Sequence, residues 1–145
     1  MSEEAKNFRF LWHSVAGSIR SGYGNLTRHI CSRLVAKGYQ IIVSAYYGLE
    51  PGGMILINGV PHIPSKIGNF GEISALEHVK NYKINASILT TDFWAFGWFP
   101  EKMVYPILHS PMDHENYNRF ILDMVKKYEK VCAFCRWQQS ELKKE

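Results

Sequence analysis

The strongest constraint on this chain is an alternation. Short runs rich in β-branched and aromatic residues take turns with segments whose apolar positions recur every three or four residues. Such a chain interleaves strands with helices. Phe8-Arg9-Phe10-Leu11-Trp12 predicts a first strand, followed by a long loop through Gly24. From Tyr23 onward, Leu26, Ile30 and Leu34 keep helical spacing, and Gly38 stands where a helix C-terminal glycine belongs. Gln40-Ile41-Ile42-Val43-Ser44-Ala45 is nearly all apolar, as a strand covered on both faces should be. Asn58-Gly59 supplies the positive φ angles of a type I′ turn, so residues 54–63 predict a hairpin. Pro61 lacks an N–H and is expected to confine its strand to an edge. A helix over 72–82, strands over 86–90 and 104–108, an amphipathic helix over 116–128, a short strand over 131–134 and a helix over 137–144 complete the pattern. The expected fold is α/β: a single Rossmann-like three-layer α/β/α domain spanning 1–145, with a mostly parallel sheet. In such sheets ligands sit at the carboxyl ends of the strands.

Composition agrees with a packed domain. The chain has 145 residues, 46% hydrophobic and 21% charged, enough to bury about two-thirds of its unfolded surface without disulfide or metal staples. Disorder and collagen-like repeats are excluded. No apolar run reaches the ~18–20 residues of a membrane span, and Met1-Ser2-Glu3-Glu4-Ala5-Lys6 carries acid where a secretory leader carries base, so the expected location is the cytosol. The net charge of +4 is modest and looks diffuse along the sequence. Lys126-Lys127 and Lys143-Lys144 lie beside acids and read as solvated helix faces.

Three features stand at the strand ends. The loop from His13 to Asn25 brings Gly22 and Gly24 to the start of a helix, where free N–H groups could meet an anion or simply make a tight turn. It matches neither the dinucleotide fingerprint nor a Walker A loop. Thr91-Asp92 leads into Phe93, Trp94, Phe96, Trp98 and Phe99, five aromatics within seven residues. Some of these should fold back over the sheet, and one or two should stay exposed as a binding surface. His109-Ser110-Pro111-Met112-Asp113-His114-Glu115 could do acid–base work or bind a metal, but Asp113 also suits the N-cap of the next helix. Cys132 and Cys135 form a C-x-x-C with Cys31 apart, which reads as buried small residues rather than zinc ligands or a redox pair.

Several segments taken together resemble a known family. Leu11-Trp12-His13-Ser14, Ser21-Gly22-Tyr23-Gly24-Asn25-Leu26-Thr27-Arg28 and Leu34-Val35-Ala36-Lys37-Gly38-Tyr39 resemble the opening of GT-B retaining glycosyltransferases. So do Tyr46-Tyr47-Gly48-Leu49, Ile57-Asn58-Gly59-Val60, Asp92-Phe93-Trp94, the stretch 106–115 and the stretch 134–142. The resemblance covers the first, acceptor-side lobe. It implies that Gly22, Gly24 and His109 match positions facing the donor across a cleft, as a vestigial ligand loop. It also implies that the nucleotide-sugar lobe is missing, so that no catalytic residue, metal or cofactor is expected to serve glycosyl transfer by this chain alone. Tyr46, Tyr47, Phe93, Trp94, Phe96, Trp98 and Phe99 would then lie uncovered as anchors for a partner. A single lobe of this kind further resembles the RNA polymerase inhibitors of archaeal viruses. That implies a non-catalytic protein of the host cytoplasm, or of the virion, whose partner is the host DNA-dependent RNA polymerase. It would occupy the DNA-binding channel and block loading of nucleic acid and initiation factor, with no membrane contact and no sequence-specific nucleic-acid binding. The other expectations are half of a glycosyltransferase that needs a separate second lobe and, ranked last on mild positive charge and aromatics alone, a direct nucleic-acid binder.

Overall fold

The computed structural model describes residues 7–112 and 117–143. Strands β1 (Arg9–Val15), β2 (Gln40–Tyr47), β3 (Ile55–Ile57), β4 (Val60–Pro64), β5 (Ala86–Leu89), β6 (Pro106–Leu108) and β7 (Lys130–Val131) form one sheet in the order β3-β4-β2-β1-β5-β6-β7. Every pairing is parallel except β3 with β4. The helices are α1 (Gly22–Ala36), α2 (Glu72–Asn81), the single turn α3 (Phe99–Lys102), α4 (Arg119–Val125) and α5 (Arg136–Leu142). The α/β, Rossmann-like reading is the fold of the molecule. Among the described residues no helix is long and apolar enough to cross a membrane.

Successive residues of β1 point to opposite faces, and both faces are buried. Leu11 joins a core with Leu89, Leu108, Ala75 of α2, Phe93, Phe99 and Met124 of α4. Trp12 joins a second core with Ile41, Val43, Ala45 and Cys31 of α1. The Trp12 indole Nε1–H donates to Thr27 Oγ1 at 3.1 Å, which ties α1 to the central strand. Each such fully buried apolar side chain contributes roughly 1.5–3 kcal/mol through removal from water.

The hairpin forms as expected, with Asn58 and Gly59 at φ 50° and 75°. Pro61 corrects the edge assignment. The edge strand is β3, while β4 lies inside the sheet and meets β2 only from His62 onward. Pro61 therefore sits where no ladder bond to β2 is required. Strand β1 also runs further than expected. His13 and Ser14 belong to it because Ser44 on one side and Leu89 on the other pair with His13.

The helix expected over 116–128 is shorter, and Asn118 caps it by accepting from Ile121 N–H at 2.9 Å. Asp113, proposed for that role, lies outside the described residues. The last strand stops at Val131, so the chain leaves the sheet edge with Cys132 and Cys135 exposed, against the expectation that the pair is buried; Cys31 is the buried cysteine.

Candidate functional site: the carboxyl end of the sheet

The chain leaves β1 toward β2 on one side, while β5 lies on the other, so the topological switch point falls between β1 and β5. Crevices at such points hold ligands in open α/β sheets. Here the crevice is bordered by the loop before α1, by Asp92 and by His109. Ser21 caps α1 by accepting the Gly24 N–H at 3.1 Å. That amide is therefore not available to an anion. A Cβ at Gly24 would run into the Ile19 carbonyl, so this glycine serves close backbone packing. Gly22 is the first residue of α1 and faces open space. The Tyr23 hydroxyl donates to Asp92 Oδ1 at 2.6 Å across the crevice. His109 Nδ1 hydrogen-bonds with Thr90 Oγ1 at 3.1 Å, and its ring lies 4.3 Å from that of Phe134. Burial lowers the His109 pKa to about 4, which keeps the ring neutral at physiological pH.

The aromatic loop folds back over the sheet as its residues suggested and leaves one ring exposed, which corrects the anchor set that the resemblance implied. Phe93, Phe96 and Phe99 are fully buried and Trp98 is nearly so, which removes four of the proposed anchors from the surface. The physical reason is that the segment folds back over the sheet through two short helical turns and fills the core above Leu11 and Leu89. Trp94 remains 47% exposed beside Phe93. Tyr46 is half-buried, with its hydroxyl bonded to Thr91 Oγ1 at 2.6 Å, whereas its neighbour Tyr47 is 59% exposed.

A chain of buried polar groups lies under this end. His13 is fully buried, with its ring within 6 Å of those of Tyr46, Phe96, Trp98 and Phe99. Its Nε2 is 3.0 Å from the Phe70 carbonyl, which can only accept, so Nε2 carries the proton. Nδ1 then accepts from the Ser44 hydroxyl at 3.2 Å, and Ser44 Oγ accepts from His78 Nδ1–H at 3.0 Å. The direction of the whole chain follows from one carbonyl. Burial lowers both histidine pKa values, that of His13 to about 4, so the network holds neutral rings.

Its effect is to pin the backbone of Phe70, which sits in the left-handed region at φ 48°. The Phe70 ring is 47% exposed and packs 4.9 Å from Phe96 and 6.1 Å from Tyr46. Ile67 and Ile73, on either side of it, are also exposed. These three residues were missed in the sequence because Gly68-Asn69-Phe70-Gly71 reads as a plain turn. A large aromatic between two glycines, just before a helix, was the available signal.

Among the described residues no group of three or more His, Cys, Asp and Glu side chains could hold a metal ion. What the arrangement offers is a set of exposed apolar side chains at this end of the sheet: Phe70 over the buried Phe96 with Ile67 and Ile73 beside it in the chain, Trp94 against the buried Phe93, and Tyr47 at the end of β2. Comparison with protein-family models, with curated proteins and with solved structures finds no match.

Proposed function

We propose that this chain is a binding protein that acts by occupying a partner's surface with the carboxyl end of its sheet. The partner that the sequence resemblance names is an archaeal DNA-dependent RNA polymerase, and occupation of its DNA channel would inhibit transcription. The observation that carries the reading is Phe70: a large aromatic, half in solvent, with its backbone carbonyl held by a buried hydrogen-bond chain from His13 and its ring packed at a tilt against Phe96. A ring so placed loses little conformational freedom on docking, which is what makes an effective anchor. The structure changes which residues are proposed as anchors. Tyr47 and Trp94 are kept, and Phe70 and Ile67 take the place of the buried Phe93, Phe96, Trp98 and Phe99.

The full-length chain should co-elute with purified archaeal polymerase and suppress promoter-dependent transcription. Phe70→Ala and Trp94→Ala should each weaken that complex by about 30-fold, the size of a typical hot spot. Absence of a complex with the unmodified chain overturns the reading.

A second reading rests on the crevice between β1 and β5, where Gly22 is open and Tyr23 meets Asp92. There the chain would serve as the acceptor side of a glycosyltransferase and need a second lobe. Sugar-nucleotide turnover on supplying such a lobe, without polymerase binding, would favour it.

A further inference from the structure

Basic residues that are scattered in the sequence are brought together at one end of the sheet. In a parallel sheet the loops that lead into strands all meet at the amino end. That end is fixed here by Asn85 N–H donating to the Arg9 carbonyl, by Glu129 N–H donating to the Pro106 carbonyl, and by the pairing of Arg9 with Gln40. The loops meeting there and the element ends that flank them carry Arg9, Lys37, Lys80, Lys83, Lys126 and Lys130. Set against Glu77 and Glu129, these six leave a local surplus of +4 among the described residues, Lys127 being paired with Glu101. All five lysines are exposed, and among the described residues none of them forms an ion pair. Lys37, Lys80 and Lys126 lie at the C-terminal ends of α1, α2 and α4, where the helix dipole favours a cation. Arg9, Lys83 and Lys130 lie outside any helix, so the dipole does not account for them.

Aromatic rings are interleaved with these charges. Tyr105 is 45% exposed at the start of β6 and is held at φ 39°. Lys83 also occupies the left-handed region, at φ 51°. Phe8 is exposed and packs 4.9 Å from Phe10. Tyr39 and Tyr82 line a cavity of about 460 Å³ with Arg9, Gln40, Val35 and Pro61. The Arg9 guanidinium is fixed in the wall of that cavity by donating to Gln40 Oε1 at 2.9 Å and to the Tyr82 carbonyl at 3.0 Å.

We infer that the amino end of the sheet is a second binding surface, for single-stranded nucleic acid read without regard to sequence. Lysines on flexible stems neutralise phosphates along a strand, and exposed rings give its unpaired bases faces on which to stack. A duplex keeps its bases stacked inside and would make no use of the rings. An acidic protein would use the charges but not the stacking. This surface lies at the opposite end of the sheet from Phe70 and does not depend on the polymerase reading.

The test uses the full-length chain and a fluorescein-labelled oligo(dT) of roughly 20 nucleotides, followed by anisotropy from about 50 mM salt upward. Binding should fall linearly on a log–log plot, with a slope of about −3 if four phosphates are engaged. Lys83→Asn with Lys130→Gln should reduce the magnitude of that slope by about 1.4, each neutralised contact being worth about 0.7. Asparagine tolerates the backbone of residue 83, so the fold is kept. Tyr105→Asn should weaken binding at least about fivefold through lost stacking. Arg20→Gln with Lys66→Gln removes the same charge at the carboxyl end and should leave affinity within about twofold, since those side chains lie far from the strand's path. The inference fails if no binding occurs at low salt, or if both double variants weaken it equally. It also fails if a duplex of the same length binds as tightly, or if polyglutamate competes as well as unlabelled oligo(dT).

Discussion

The two ends of the sheet solve different problems with similar residue types. At the carboxyl end, aromatic side chains are gathered over a buried histidine, and most of them are core. At the amino end, rings are fewer, partly exposed and set among lysines that form no ion pairs among the described residues. The difference shows that aromatic density in a sequence does not by itself mark a binding surface. A cluster dense enough to attract notice is also dense enough to bury itself, as Phe93, Phe96 and Phe99 do. Phe70, set between glycines and away from that cluster, stays half outside.

Mutations at the carboxyl end break this comparison most sharply. Phe99→Ala should cost about 3–5 kcal/mol of stability, because a fully buried ring leaves a cavity that its neighbours cannot refill. Trp94→Ala, five residues earlier, should change stability by no more than about 0.5 kcal/mol while still weakening the partner complex. Chemical unfolding of both variants checks this, and equal losses would mean that the two rings share one environment.

Acid comes next in size. His13 has its pKa depressed to about 4 from the ordinary 6.5, so the unfolded chain binds a proton that the folded chain refuses. The stability this neutral ring contributes is fully present above about pH 6.5 and is lost as pH falls toward 4, by up to about 3 kcal/mol. His109 is depressed in the same direction, with a smaller effect because it is partly exposed to water. Unfolding midpoints at pH 7 and pH 4.5 should show the loss, and His13→Gln should flatten the slope between them. Loss of this network should also loosen Phe70, which would weaken partner binding at the carboxyl end and leave oligo(dT) binding at the amino end unchanged.

The smallest effect belongs to a cap. Ser21→Ala removes the acceptor for Gly24 N–H and should cost about 1 kcal/mol, read as a lower melting temperature. It should leave Lys37, at the far end of α1, able to engage a polyanion as before.

Much of the fold was legible in local pattern. The Asn58-Gly59 turn, the helical spacing of Leu26, Ile30 and Leu34, and the apolar run of β2 each specify their element, because side-chain periodicity and turn chemistry act over a few residues. The interior place of β4, which Pro61 seemed to forbid, was not legible. Neither was the length of β1. Both depend on partners distant in the chain. The candidate sites were less legible still. Gly24 read equally as an anion contact or a tight turn and proved to be a packing glycine, because only the folded loop brings Ile19 against it.

What the sequence determined by itself was the alternation of strands and helices, and with it a parallel sheet buried on both faces. Tertiary structure alone decided which rings are core and which are surface, and it brought scattered basic residues together at the amino end of the sheet. The physical reason is that burial and electric potential are sums over neighbours in space. Residues such as Arg9, Lys83 and Lys130 become neighbours only when right-handed crossovers return the parallel strands to the same starting edge.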